Sequence, residues 1–157
     1  MPIVVRPVEI DDLKSVAELM VEMDEFYDEP DRESTETKIA NMRESLFGNP
    51  PLAYLLVAQD ESDHTVLGIA AYSFLWPAVG TTSSAYLKEL YVRQSSRRDG
   101  VARLLMVILI ETARRARCSR IEWTTDTGND GARRFYASLG VPVNEGKVMY
   151  RFGLGSS

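Results

Sequence analysis

A strand-like run meets a helical run between residues 86 and 102, with only a short turn between them. The run Tyr-Leu-Lys-Glu-Leu-Tyr-Val begins at residue 86, and a helical apolar pattern begins at Val101, directly after Gly100. The first N–H groups of a helix have no partners inside it, and the helix dipole adds partial positive charge there. Gly100 lets the chain turn sharply, so that backbone amides can converge. The junction is therefore predicted to bind a phosphate group.

The turn itself has the pattern Arg97-x-x-Gly100-x-Ala102. It lacks the Gly-Lys-Ser/Thr ending of a P-loop, and it lacks the three glycines of a G-x-G-x-x-G dinucleotide motif. The pattern indicates a nucleotide or a pyrophosphate, and it is too short to identify either one without a second motif.

A second motif follows the strand-like run at residues 120–125. Residues 129–140 have the pattern of a short helix, with Asn129 near its start and Gly140 just past its end. Ala132 and Tyr136 lie within this helix. The two motifs therefore sit on two strand–turn–helix units of the same kind.

Together these motifs resemble those of the GCN5-related N-acetyltransferases. In that family a loop like residues 97–102 holds the pyrophosphate of acetyl-CoA, and the run from Asn129 to Tyr136 is similar to the family's Asn-x-x-Ala-x-x-x-Tyr helix. The motifs occur in the family's order and at about its spacing. The likeness extends to Val4-Val5-Arg6-Pro7, so it covers nearly the whole chain.

The resemblance implies a set of residues that bind acetyl-CoA. The main chain at Leu90 and Val92 is expected to bond the pantetheine arm, and Asn129 is expected to bond it as well as to cap its helix. Arg98 and Asp99 depart from the family pattern, since a glycine is frequent at the first position and Asp99 places negative charge in the loop. The implied cofactor-binding residues are Leu90, Val92, Arg97, Arg98, Asp99, Gly100, Val101, Ala102, Asn129 and Tyr136.

Two side chains are candidates for the chemistry of acetyl transfer. Tyr136 matches the family tyrosine that donates a proton to the leaving thiolate, and the alternative is a tyrosine that is simply packed. Glu89 stands where polyamine-type members carry an acidic residue, so it either takes the amine proton or holds the ammonium; the alternative is a charge on the open face of a strand. Tyr27 and Trp76 are candidates for the amine site, and both fit a core role equally well.

The pattern of elements predicts an α/β fold. Strands are expected at residues 3–6, 52–58, 66–76, 84–92, 121–125 and 147–152. A long helix is expected to open at residues 11–12 and to run through Met23, and further helices are expected at about 35–47, 101–117 and 129–139. The resemblance implies a mixed, mostly antiparallel central sheet whose fourth and fifth strands splay apart, flanked by about four helices. Residues 1–153 are expected to form one domain, and residues 154–157 a disordered tail.

Charge is divided unevenly between the two halves. Residues 1–80 carry 16 acidic and 5 basic side chains, whereas residues 81–157 carry 7 acidic and 13 basic ones. The basic half holds the predicted phosphate loop, and the acidic half would attract a cationic amine. The alternative for the acidic run is a solvated helix end and loop. This run comprises Glu22, Asp24, Glu25, Asp28, Glu29, Asp31 and Glu33.

Composition argues against membrane, secreted and metal-binding classes of protein. The sequence has no apolar run of eighteen residues and no secretory signal pattern, so no membrane partner is predicted and the expected location is the cytoplasm. The single Cys118 and the single His64 do not make a metal site of usual ligand count, so no metal is predicted.

The sequence predicts an acetyl-CoA-dependent N-acetyltransferase that transfers acetyl directly to a primary amine, such as a polyamine or another small amino compound. One alternative is an acyl-CoA-binding sensor without turnover. Another is a protein N-terminal or tRNA acetyltransferase, for which a cluster of arginines would bind RNA, although the chain is acidic overall. Whether the protein forms a homodimer is left open. The arginines of that cluster are Arg114, Arg115, Arg117, Arg120, Arg133 and Arg134.

Overall fold

The computed structural model describes residues 2–30 and 33–155. These residues divide into two compact units, Met1–Trp123 and Thr124–Ser157. The single domain over residues 1–153 stays a prediction, and so does the disordered tail, of which residues 156–157 lie outside the described part of the chain.

The first unit contains a five-stranded sheet whose strands lie side by side in chain order. Neighbouring strands are antiparallel except for the last pair, which is parallel. The mixed, mostly antiparallel sheet predicted above is confirmed. Its strands are β1 (Ile3–Pro7), β2 (Tyr54–Asp60), β3 (Val66–Leu75), β4 (Ser84–Val92) and β5 (Arg120–Glu122).

Four α-helices are present in the described residues, as predicted. A local signal starts the second of them, where the Ser34 hydroxyl accepts the N–H of Thr37. Asp12 precedes the first helix, and Arg6 of β1 binds its carboxylate at 2.7 and 3.0 Å. The Arg6 guanidinium lowers the pKa of Asp12. The helices are α1 (Leu13–Phe26), α2 (Thr35–Phe47) and α3 (Val101–Arg115) in the first unit and α4 (Asp130–Ser138) in the second.

One face of the sheet packs against α1 and α2. The apolar positions of α1 recur at helical spacing, so they form a single buried stripe against the strands. The resulting core includes Leu13, Val16, Ala17, Leu19, Met42, Leu55, Val57, Val66, Ile69 and Tyr91.

The opposite face of the sheet packs against α3, and Gly68 on β3 sets how closely the helix approaches. A Cβ added at Gly68 would lie 3.2 Å from Val101 Cγ1, 3.3 Å from Leu105 Cδ1 and 2.9 Å from the carbonyl oxygen of Tyr91. Only a residue without a side chain fits this contact. Gly68 therefore fixes the position of the first turn of α3 on the sheet.

The parallel pairing of β4 with β5 is short. Its register is Ser84↔Arg120, Ala85↔Ile121 and Tyr86↔Glu122. Within the described residues this ladder ends at Tyr86, although β4 continues to Val92. β5 itself ends at Glu122, so β4 runs on to Val92 without pairing to β5, and the splay of the two strands stays a prediction.

A β-bulge interrupts β4 at Lys88. Ala71 of β3 pairs with Glu89, whereas the next residue, Tyr72, pairs with Leu87. Lys88 is therefore an extra residue, and it changes which positions of β4 face α1 and α2. After the bulge, Glu89 and Tyr91 share the face on which Ala71 packs against the α1–α2 core.

Some predicted boundaries differ from the structure. The strand predicted at 147–152 is wrong, because these residues have no regular structure. Their alternating apolar side chains favour a strand, but a strand also needs a neighbour for its backbone groups, and sequence alternation does not supply one. The fifth strand ends at Glu122 rather than at 125, and α3 ends at Arg115 rather than at 117. No helix among the described residues has the length and apolar content needed to cross a bilayer.

Candidate active site

The start of α3 has the geometry of an anion site. Gly100 precedes the helix with φ +83°, a left-handed conformation that favours glycine. The N–H of Leu104 donates to the carbonyl oxygen of Gly100 at 3.0 Å. The amides of the three residues between them thus belong to the first turn, where a helix offers them no carbonyl. Buried Val101 anchors this turn against the sheet.

The Arg97 side chain has protein partners on two other elements. Its guanidinium carbon lies 4.3 Å from the ring centroid of Phe26 on α1 and 5.3 Å from that of Tyr91 on β4. Its Nε donates to the carbonyl oxygen of Val92 at 3.2 Å. Arg97 therefore ties the turn before Gly100 to the end of α1 and to β4.

Glu22 on α1 joins the same region, and sequence reasoning missed this role. Its Oε2 accepts the hydroxyl of Tyr91 at 2.7 Å and the N–H of Gln94 at 3.1 Å. Burial, together with the Glu22 carboxylate, raises the pKa of Tyr91 to about 12. The available signal was the position of Glu22, three residues after buried Leu19, which places it beside the apolar stripe of α1.

Beyond Tyr86, β4 has no ladder with β5 among the described residues. The N–H of Arg93 donates to Leu67 of β3 at 2.7 Å, and in a strand alternate residues direct their backbone groups to the same side. Leu90 and Val92 therefore direct their N–H groups away from β3, toward the side that β5 has left at Tyr86.

Glu89 lies on the α1–α2 face of β4 and is half-buried. Its register partner is Ala71, and Tyr91 follows on the same face. The ring centroid of Tyr27, at the end of α1, is 6.5 Å from that of Tyr91. The structure thus brings Tyr27 and Glu89 to the same face of the sheet, near the end of β4.

Trp76 lies away from Glu89 and Tyr27. It follows β3 five residues after Ala71, the partner of Glu89, which is about 16 Å along an extended strand. Trp76 is largely exposed, and its Nε1 donates to the carbonyl oxygen of Thr81 at 2.9 Å. The structure therefore does not bring Trp76 next to Glu89.

A cavity of about 340 Å³ lies between α1, α2 and the sheet. Ala71 lines it and pairs with Glu89, and the Cβ atoms of directly opposed residues are about 5 Å apart, so Glu89 neighbours a residue of the lining. The cavity is lined by Met20, Met23, Asp24, Glu33, Lys38, Asn41, Met42, Ser45, Leu46, Leu55 and Ala71.

Polar side chains occupy one part of this lining. The Lys38 ammonium donates to the carbonyl oxygen of Glu33 at 3.0 Å, and the Asn41 amide donates to Glu33 Oε2 at 2.9 Å. Lys38 is only 5% exposed. Of the predicted acidic run, Asp24 and Glu33 line the cavity, whereas Asp31 lies outside the described residues.

In the second unit, α4 carries the other predicted residues. The Asn129 side chain accepts the N–H of Ala132 at 3.1 Å, so it caps the helix. Gly140, with φ +77°, follows the helix as its sequence pattern indicated. Tyr136 is half-buried, and its ring centroid lies 5.4 Å from that of Phe135.

The described residues contain no group of three or more His, Cys, Asp and Glu side chains placed to hold a metal ion. Cys118 is a free, half-buried thiol.

Comparisons with known proteins agree with this geometry. An integron cassette protein from the mobile metagenome of V. cholerae is 27% identical, with a TM-score of 0.85 over 98% of this chain and 93% of that chain. An aminoglycoside acetyltransferase from an uncultured soil metagenomic sample, solved in complex with trehalose, is 18% identical, with a TM-score of 0.79 over 98% of this chain and 97% of that chain, and so shows the fold alone.

Sequence comparison identifies a further relative. Aminoglycoside N(6')-acetyltransferase type 1 of Serratia marcescens is 35% identical over 71 residues, which are 45% of this chain and 49% of that enzyme. The match thus spans about half the length of this curated relative. The model of the Acetyltransferase (GNAT) family matches residues 16–141, which is most of the chain. This protein therefore belongs to the GNAT acetyltransferase family, as the two motifs indicated.

Proposed function

We propose that this protein is an acetyl-CoA-dependent N-acetyltransferase that transfers acetyl directly to the primary amine of a small cationic molecule. The observation that carries the proposal is the part of β4 beyond its pairing with β5, which leads within a few residues into the left-handed turn at Gly100 and the first turn of α3. One continuous segment thereby offers backbone amides both to a pantetheine arm and to a diphosphate.

In the proposed reaction the amine nitrogen attacks the thioester carbonyl carbon. The new C–N bond forms as the C–S bond breaks, the amine loses a proton, and the CoA thiolate gains one. Binding both substrates together lowers the entropic barrier, and amides near the carbonyl oxygen stabilise its developing charge. The outward N–H groups of Leu90 and Val92 suit this second task.

The proposed roles of the side chains follow the family pattern. Glu89 takes the proton from the amine, directly or through water, or holds the ammonium before transfer. Tyr136 donates the proton to the thiolate, and Asn129 bonds the CoA arm in addition to capping α4. Tyr27 and Trp76 are proposed to contact the acceptor. The role of Tyr27 is supported by its position on the same face of the sheet as Glu89.

The loop residues share the remaining work of binding CoA. Residues 97–102 are proposed to surround the diphosphate with their amides, and the Arg98 side chain is exposed and available to a phosphate. Arg97 contributes by holding the turn, because its guanidinium packs on Phe26 and Tyr91. Cytoplasmic location and homodimer formation stay predictions.

A second candidate function is an acyl-CoA sensor without turnover. Asp99 favours it, because an exposed carboxylate inside an anion loop weakens the attraction for a diphosphate. A carboxylate at Glu89, next to a residue of the cavity lining, favours the enzyme, since binding alone does not require a base there.

The test is release of free CoA from acetyl-CoA in the presence of a panel of primary amines, with binding of acetyl-CoA measured in parallel by calorimetry. The expected result is amine-dependent CoA release together with an acetylated product seen by mass spectrometry. Binding of acetyl-CoA without turnover on any amine would favour the sensor, and absence of binding would overturn both functions.

A further inference from the structure

The cavity beside Glu89 has mainly apolar walls. Three of its lining residues are methionines, whose flexible side chains adapt to irregular apolar ligands, and leucines and an alanine complete the wall. Ala71 connects the two parts of the site, because it lines the cavity and also pairs with Glu89. A ligand that places its amine at Glu89 therefore has an apolar space directly beside that amine.

The polar part of the lining does not suit a second ammonium group. Asp24 and Glu33 are accompanied by Lys38, a buried cation whose ammonium is fixed on the Glu33 carbonyl. Lys38 offsets one of the two carboxylate charges, so the attraction of this part of the lining for another cation is reduced. An ammonium group pushed against the methionine wall would lose its hydration without gaining hydrogen bonds, which is costly.

We propose that the preferred acceptor is an amphiphilic primary monoamine, whose ammonium lies at Glu89 and whose alkyl or aryl arm fills the cavity lined by Met20, Met23, Met42 and Leu46. This inference rests on the proposed function and narrows it. In a polyamine bound the same way, the second ammonium group would lie in the cavity, where the alkyl or aryl arm is proposed to bind. Polyamines are therefore poor acceptors for this site.

The first experiment compares two amines of equal length, hexylamine and 1,6-diaminohexane, with acetyl-CoA saturating. The expected kcat/KM for hexylamine exceeds that for the diamine by at least about tenfold, and along the series from propylamine to hexylamine kcat/KM rises about threefold to fourfold per methylene. A diamine that matches or exceeds hexylamine would overturn the proposal.

The second experiment fills the cavity. Ser45→Leu adds apolar volume at a half-buried lining position of α2, whereas Ala40→Leu adds similar volume at an exposed position of the same helix that does not line the cavity. The expected result is that Ser45→Leu removes most of the advantage of hexylamine over propylamine, and that Ala40→Leu leaves it unchanged. An unchanged chain-length dependence in a folded Ser45→Leu protein would contradict the proposal.

A direct binding measurement separates this inference from the proposed function. Calorimetry with hexylamine and 1,6-diaminohexane, in the presence of CoA, reports binding without turnover. If CoA release fails for every amine, the enzyme is excluded, but tighter binding of hexylamine than of the diamine still supports the cavity as an amphiphilic-amine site. Equal binding, or tighter binding of the diamine, overturns it whether or not any amine is acetylated.

Discussion

The hydroxyl of Tyr91 on β4 donates to the Glu22 carboxylate of α1 at 2.7 Å, and the same oxygen accepts the N–H of Gln94 at 3.1 Å. One carboxylate thus joins the last turns of α1 to the end of β4 and to the segment that leads to Gly100. Because α1 also lines the cavity, through Met20, this contact links the acceptor side to the CoA side of the proposed site.

Replacing Glu22 with glutamine weakens this link. An amide oxygen is a poorer acceptor than a carboxylate, so we expect Glu22→Gln to lower the free energy of unfolding by about 1–2 kcal/mol. We also expect a severalfold weaker Kd for acetyl-CoA. Urea denaturation and calorimetry measure the two effects. Glu25→Gln, at an exposed position of the same helix, is the control. Equal stability of the two variants would show that the contact contributes little.

The ionisation of Tyr91 provides a test at alkaline pH. Its pKa in the folded protein is about 12, above the ordinary value of 10.0, so the neutral phenol is favoured by folding. Its contribution to stability is fully present below pH 10 and is lost as the pH rises toward 12. Burial also raises the pKa of Tyr72, so we expect the phenolate absorbance of the folded protein to rise late in the alkaline range, and Tyr91→Phe to reduce that late rise by the amount of one tyrosine. A late rise of unchanged size in Tyr91→Phe would show that Tyr91 does not contribute to it.

Gly100 is expected to be sensitive to any side chain. Its φ of +83° is unfavourable for alanine by about 1 kcal/mol, and a relaxed turn would move the amides that we propose to hold the diphosphate. Gly100→Ala should therefore weaken acetyl-CoA binding at least about tenfold. Gly80→Ala is a matched control, because Gly80 has φ +59° and equally open surroundings outside the loop. A similar loss of binding in both variants would argue against a specific role of Gly100.

Gly68 is expected to be sensitive to substitution for a different reason, because there is no room for a Cβ atom at this position. An added Cβ would meet the Tyr91 carbonyl oxygen at 2.9 Å and the Val101 side chain at 3.2 Å, so Gly68→Ala must displace the backbone of β4 and press on the first turn of α3. We expect a loss of about 1–3 kcal/mol in the free energy of unfolding, with weaker acetyl-CoA binding. Gly128→Ala, where a Cβ meets nothing within 4 Å, should change neither quantity. A stable Gly68→Ala protein with normal affinity would show that β4 and α3 tolerate the displacement.

Tyr136→Phe distinguishes the enzyme from the sensor. If Tyr136 protonates the leaving thiolate, its removal should lower kcat by about 10²-fold or more and leave the Kd for acetyl-CoA nearly unchanged. Tyr150→Phe, in the same unit of the chain, is the control and should leave kcat unchanged. Rates of acetylation and calorimetry with acetyl-CoA give the two readouts. An unchanged kcat in Tyr136→Phe would remove the tyrosine from the mechanism.

Local signals predicted most of the fold. The apolar period of α1, the Ser34 cap of α2 and the glycine before α3 are all visible in the sequence, and the helices begin where these signals place them. The strand predicted at 147–152 was wrong because alternation describes a side-chain pattern and does not supply a neighbouring strand.

The contacts of the candidate site were harder to predict than its elements. Arg97 and Gly100 could be identified from their motif, but the packing of Arg97 on Phe26 depends on residues far apart in the chain. The same is true of Glu22 and Tyr91. Short-range patterns carry no information about such pairs, so only the three-dimensional structure reveals them.

The extra residue in β4 decides the orientation of everything that follows it. If Lys88 instead paired as a regular strand residue, the two-residue repeat would carry Glu89 to the side of the sheet occupied by α3 and would pull Tyr91 out of the α1–α2 core. The strand would keep its composition, and its carboxylate would face the other layer of the fold. Deleting Lys88 would have the opposite effect, because Leu87 and Glu89 would then be consecutive opposite Tyr72 and Ala71, and the ladder would become regular with both faces kept.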